Sequence, residues 1–219
     1  MTNDRWSVIL TTLRASTRSG VVPAPRTKPA EVRREELLEA AEKIFLAKGI
    51  AKTSIDEIVV AAGVAKGTFY LHFESKEKLL VALRDRFVAT YFDDFRLAME
   101  RRRSSDYKGR LRAWIDAGVN GYLDRAALHD LVFHEFRPET PQGKHENPIV
   151  TLLASLLADG GRAGAWTSDA PELTAVMLFS ALHGVLDECT RGGAEVPRKR
   201  LIRSLETFFH RALVVVEGR

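Results

Sequence analysis

The chain has 219 residues, with 33 Lys and Arg against 29 Asp and Glu and a net charge of +4, a mild basic excess that permits a nucleic-acid partner without requiring one. At 45% hydrophobic and 28% charged residues it is globular rather than disordered, long enough for one large domain or a small one joined to a medium one. A lone cysteine, Cys189, excludes an internal disulfide, and no apolar run reaches the roughly 18 residues of a membrane span.

The apolar stretch WSVIL near the start is too short for a secretory signal, so a cytoplasmic location with no membrane partner is expected. Residues 1–30 set Arg5, Arg14, Arg18, Arg26 and Lys28 against Asp4, and Pro23, Pro25 and Pro29 oppose a helix there. This reads as a flexible basic arm with at most one short helix from Asp4 to Ala15. It is either a plain tail or an arm that reaches a DNA groove.

From Ala30 the pattern is helical. In EVRREELLEAAEKIFLAKG, Leu37, Leu38, Ala41, Ile44 and Phe45 recur at intervals of three and four and form one stripe, with Gly49 as the stop. In TSIDEIVVAAG, Ser54 and Glu57 have the form of a capping box, Ile55, Ile58, Val59 and Ala62 make the stripe, and Gly63 ends it. A shorter helix is expected from about Ala65 to Leu71. Ser75 then caps a long one that runs to about Arg103.

YKGRLRAWIDAGVNGYLDR and AALHDLVFHEF continue the helices as far as a loop, RPETPQGKHENP. IVTLLASLLADGG follows, then PELTAVMLFSALHGVLDECTRGG and PRKRLIRSLETFFHRALVVVE. No segment alternates as a strand would, so the fold class is all-α.

Each of the last two helices is apolar over much of its circumference. Leu173, Met177, Ser180 and Gly184 form one stripe of the first, and Leu178, Leu182, Val185 and Cys189 another. On the second, Leu201, Leu205, Phe208 and Ala212 line one side, with Ile202, Phe209, Leu213 and Val216 alongside. Such a helix buries two sides. One faces its own core, and the other faces either a symmetric partner or the interior of a larger bundle. A homodimer interface is expected, with Ser180, Gly184, Ile202, Leu205 and Phe209 on it.

Two short helices joined at Gly63 have the layout of a helix-turn-helix. The second buries Val64, Phe69 and Phe73 and turns Lys66, Gly67, Thr68, Tyr70 and His72 outward. Lys66 offers a cation to guanine acceptors or phosphate, Thr68 a hydroxyl and a methyl, and Gly67 lets backbone approach the duplex. Tyr70 and His72 can donate to phosphate oxygens, and Lys76 adds charge at a helix start that itself attracts phosphate.

The run from Phe45 through GVAKGTFYLHFESKEKLL resembles the DNA-binding domain of TetR-type transcriptional regulators, over about residues 33 to 80. That resemblance implies an all-helical homodimer in which three N-terminal helices bind operator DNA. A larger C-terminal domain would bind a small molecule and dimerise through its last two helices. It also implies base-facing roles for Lys66, Gly67 and Thr68, and phosphate-facing roles for Ser54, Tyr70, His72 and Lys76. Two departures stand out. Ala65 replaces a frequent Ser, removing a cap of roughly 0.5–2 kcal/mol, and Val59 replaces a frequent Ala, which would set the two short helices slightly apart.

The C-terminal part carries no motif of comparable specificity. Among its aromatics, Phe92, Phe95, Trp114, Phe133 and Phe179, with His183, are candidates to line a pocket for an apolar or aromatic effector. His183 and Asp187 share a helix face and could hold a metal, with Glu135 and Cys189 near in sequence. His129, His134 and His145 have no recognised ligand spacing, so no metal, cofactor or catalytic residue is expected. GGRAG at 160–164 lacks a following Lys-Ser/Thr and reads as a turn, and no nucleophile elbow occurs.

The expected organisation is an arm over 1–30, a helix-turn-helix domain over 31–78 and a ligand-binding and dimerisation domain over 79–219. The expected function is a ligand-responsive repressor that binds a palindromic operator in double-stranded DNA. The alternative is a helical-bundle metal- or substrate-binding protein, or an enzyme, with a vestigial DNA-binding motif.

Overall fold

The computed structural model describes residues 29–136, 147–191 and 197–213, and among them places nine α-helices, one π-helical turn and no strand. The basic arm, most of the proline-rich loop and Val216 lie outside the described residues.

The first three helices are α1 (Ala30–Lys48), α2 (Ile55–Ala62) and α3 (Lys66–His72). α1 buries Leu37, Leu38, Ala41 and Phe45 against α2, which contributes Ile58 and Val59. The capping box forms as the sequence requires: Ser54 Oγ accepts the Glu57 N–H at 3.3 Å, and Glu57 Oε2 accepts the Ser54 N–H at 2.8 Å. Gly63 takes φ +64°, a left-handed conformation that is cheap only without a Cβ. Its turn is closed by the Val64 N–H donating to Val59 O at 3.0 Å.

α4 (Lys76–Glu100) leaves this head and becomes the longest helix described. Its buried residues Leu79, Leu83, Phe87, Tyr91, Phe95 and Met99 recur every four positions. Four residues overshoot a turn by about 40°, so over five steps the buried stripe winds about 200° around the helix. Near its start, α4 meets α1, where Arg86 pairs with Glu42 and, at 3.1 Å, with Glu35. Farther along it faces α5 (Tyr107–Asp124) instead.

The helices of α4 and α5 approach closely at Gly118. A Cβ there would lie 2.9 Å from Leu182 and 3.1 Å from Phe95, and Tyr91 OH donates to the Gly118 carbonyl at 2.7 Å. α6 (Ala126–Asp130) runs directly into the π turn (Leu131–Glu135), whose i to i+5 bond is Phe136 N–H to Leu131 O at 3.1 Å. α7 (Pro148–Arg162), α8 (Pro171–Arg191) and α9 (Arg198–Ala212) complete the bundle. The buried side chains form one continuous cluster from Leu37 to Leu213.

The expected interface set divides. Leu205 and Phe209 are buried in the protomer's own core with Leu201 and Leu213, and Ile202 packs partly against it. A four-residue spacing makes that face, and Phe208, about 100° around the helix from Phe209, turns outward at 54% exposure. Ser180 and Gly184 are exposed, on the same side of α8 as exposed Leu173 and Met177. α8 is also long and apolar enough by composition to cross a membrane, which a count of uninterrupted apolar residues does not register. Its Ala175, Leu178, Leu182 and Leu186 pack into the bundle instead.

Candidate functional site

Phe69 and Phe73 are buried beneath α3 and hold it from behind, with the Arg34 guanidinium 5.4 Å from the Phe73 ring centre. On the front, Lys66, Gly67 and Tyr70 are exposed, and Thr68 and His72 are half-buried. Among the described residues nothing lies within 4 Å of the position a Gly67 Cβ would take, so they leave the backbone open there. Ala65 precedes α3 without a side-chain cap, leaving the first N–H groups of the helix free of one. Val59 is buried in the core between the helices. Leu71 is 83% exposed, and an apolar side chain carries no chemical signal by which the sequence singles it out.

Two cations of the head behave differently from one another. Lys66 Nζ pairs with Asp56 Oδ1 at 2.7 Å, and this carboxylate raises the lysine's pKa. Lys76 is turned inward, against the expectation that it faces phosphate. Its ammonium donates to the carbonyl oxygens of Ile50 and Thr53, at 2.9 Å each. Those carbonyls belong to the link between α1 and α2, so Lys76 ties α4 to that link. Hydrogen bonds from a charged donor to backbone carbonyls are among the stronger ones available. Ser54 is exposed and already engaged in its cap.

A second feature lies between α4, the π turn and α8. A cavity of about 700 Å³ opens there, lined by Phe87, Val88, Phe92, Phe133, Ile149 and Phe179, with Arg84, Asp85 and Asn147 among its polar residues and His129 and His183 in its wall. That volume is in the range of small-molecule sites. Of the six residues expected at a pocket, Phe92, Phe133, Phe179 and His183 line it. Phe95 and Trp114 do not: both are fully buried, their ring centres 4.9 Å apart in the bundle interior. The sequence offered no means to separate them, because an aromatic at helical spacing serves core and cavity wall equally well.

His129, missed as a lining residue, is 3% exposed and places its Nε2 3.0 Å from His183 Nε2. Burial, and then the neighbouring His183, push the His129 imidazole down to about 4. Burial lowers His183 as well. Both shifts favour the neutral imidazoles, with one ring donating to the other across the Nε2–Nε2 contact. Asp187 stands behind it, accepting from Tyr122 OH and pairing with Arg191 at 2.9 Å.

Residues 37–83 match the pattern of the family described as bacterial regulatory proteins, tetR family. The chain is 38% identical over 173 residues to the HTH-type transcriptional regulator TtgR of Pseudomonas putida, covering 74% of this chain and 82% of that one. It is 38% identical over 123 residues to the HTH-type transcriptional activator FasR of Mycolicibacterium smegmatis, a match that spans 56% of this chain and 55% of FasR. In fold it is similar to the fatty acid degradation regulator FadR of Bacillus halodurans, with a TM-score of 0.67 at 21% identity, over 80% of this chain and 96% of that one.

Proposed function

The chain belongs to the tetR family of bacterial regulatory proteins and is a helix-turn-helix transcriptional regulator; on that premise we propose that it is a homodimeric repressor released from a palindromic operator by a small apolar effector. The observation that carries this reading is the outward ridge of Lys66, Gly67, Thr68 and Tyr70, supported from beneath by Phe69 and Phe73. A helix of seven residues cannot hold itself in water, and packing against α2 lets its front enter a major groove. Lys66, Gly67 and Thr68 face bases. Tyr70 and His72, with Ser54, face phosphates. Residues 31–78 act as the DNA-binding unit and residues 79–219 as the effector and dimerisation unit, in the cytoplasm where the operator is.

The apolar stripe of Leu173, Val176 and Met177 on α8, each about half exposed, supports a self-complementary interface that continues through Ser180 and Gly184. Two recognition helices must then sit roughly 34–36 Å apart, one turn of DNA. The effector enters the cavity beside α4, its apolar body among the phenylalanines and one polar group at His129 and His183. Likeness to a regulator of fatty acid degradation makes acyl chains the first compounds to try. An effector loosens DNA binding by its difference in affinity for the two domain angles, transmitted along α4 from cavity to head.

Selection of genomic fragments by the purified protein tests this reading. A recovered palindrome, protected symmetrically and released by an acyl or aromatic compound, is the expected result. Uniform retention of all fragments would return the chain to the alternative, a bundle that binds a metal or substrate without reading DNA.

A further inference from the structure

We propose that His129, His134 and Asp187 form a binding site for a divalent transition-metal ion of the zinc class, at the edge of the cavity wall. One ligand atom from each lies within 4.8 Å of the others, and His134 Nε2 is 3.7 Å from Asp187 Oδ1. Two ligands of a tetrahedral zinc ion, each at roughly 2.0–2.1 Å, stand about 3.3 Å apart, so modest side-chain shifts close the set. Two imidazoles and one carboxylate suit zinc, cobalt or nickel rather than the all-oxygen shells of magnesium and calcium. Three protein ligands leave one position open.

The backbone has been reshaped where the site needs it. His129 and His134 are five residues apart, which on an ordinary α-helix of 3.6 residues per turn separates them by about 140°. The chain changes to a π turn directly after α6, and the wider winding brings the two rings to 5.5 Å between centres. Such turns are rare and cluster at functional sites.

A second observation is independent of that geometry. The His129 ring is buried, one nitrogen is satisfied by His183, and the other, Nδ1, has no hydrogen-bond partner among the described residues. A buried polar atom without a partner costs about 1–3 kcal/mol, a cost that an ion accepting the lone pair of this ring would relieve.

The surroundings also fit an orienting shell. Tyr122 OH donates to Asp187, and His183 lies against both His129 and Asp187, with Nδ1 3.8 Å from Asp187 Oδ2. Asp130, 3.9 Å from His134 Nε2, adds negative charge. Arg191 is the opposing charge: it pairs with Asp187, is itself exposed, and must swing away when the ion arrives. An ion here joins the π turn to α8.

Titrating the metal-free full-length protein with Co2+ and recording its visible d–d absorption tests the site. One equivalent should give the bands of a four- or five-coordinate ion, and Zn2+ should abolish them. His134→Ala and Asp187→Asn should each lose the bands, and Tyr122→Phe should keep them while weakening Co2+ roughly 10–100-fold. No bands in the unsubstituted protein, or bands unchanged in His134→Ala, would overturn the proposal. His134 is exposed, so if Asp187→Asn fails to melt cooperatively, His134→Ala decides alone. Operator selection with metal-free protein keeps this outcome separate from the regulator reading.

Discussion

Lys66 Nζ lies 2.7 Å from Asp56 Oδ1, so the cation at the front of α3 is already held by a carboxylate from α2. Both groups are more than half exposed, and such a pair does little for the fold. Its effect falls on DNA, because Asp56 occupies the lysine a phosphate or base would claim and repels the backbone beside it. Asp56→Asn should tighten binding a few-fold on every sequence and steepen the salt dependence by up to about 0.9 in log–log slope. Fluorescence anisotropy over a salt series reads both: tighter binding at an unchanged slope would place Lys66 on bases alone, and unchanged affinity would remove it from the interface.

Lys76 makes the opposite prediction. Its two bonds to Ile50 and Thr53 tie α4 to the α1–α2 link, so Lys76→Met should destabilise the head by roughly 2–3 kcal/mol. DNA affinity should fall with stability, recover on cooling, and keep its salt slope. A variant that melts like the parent but loses about one phosphate contact from the slope would restore the role read from sequence.

Tyr70, 52% exposed, packs edge-on against buried Phe69 with ring centres 5.4 Å apart, which fixes where its hydroxyl points. Tyr70→Phe should weaken all DNA alike by about 1 kcal/mol, whereas Lys66→Ala should change the preferred sequence. Competition binding against a panel of operator variants separates the two. A specificity change from Tyr70→Phe alone would move Tyr70 to the bases.

Phe95 and Phe133 were interchangeable as sequence and are not in the fold. Phe95→Ala empties a fully buried site and should cost about 3–5 kcal/mol in denaturant unfolding. Phe133 is 41% exposed on the cavity wall, and Phe133→Ala should cost less than about 1 kcal/mol. What Phe133→Ala should reduce is the thermal shift produced by an acyl or aromatic ligand.

Glu57 carries a pH signature. Hydrogen bonds from Lys48, then from the Ser54 N–H and hydroxyl, hold its carboxyl at about 2, below its ordinary 4.5. A carboxyl whose folded value is depressed stabilises the fold above its unfolded value and loses that contribution as pH falls toward the folded one. Melting temperature should therefore fall between about pH 4.5 and pH 2 more steeply in the parent than in Glu57→Gln, with the two curves converging at the acid end. Parallel curves would mean that the Lys48 and Ser54 bonds do not survive in solution.

The sequence alone determined the helix-turn-helix. Its signals are local: a capping box at Ser54 and Glu57, a left-handed glycine at 63, and two phenylalanines four apart that fix which way a seven-residue helix faces. Each involves atoms a few residues apart, so spacing suffices to read it. The cavity, the inward turn of Lys76 and the burial of Leu205 and Phe209 were decided only by the tertiary structure. Lys76 reaches a carbonyl 26 residues away, and nothing in ESKEKLL announces that acceptor. The histidine cluster was hidden twice: His183 comes from a separate helix, and a 3.6-residue wheel places His129 and His134 on different faces. Only the π turn, a backbone change with no side-chain signature of its own, brings them together.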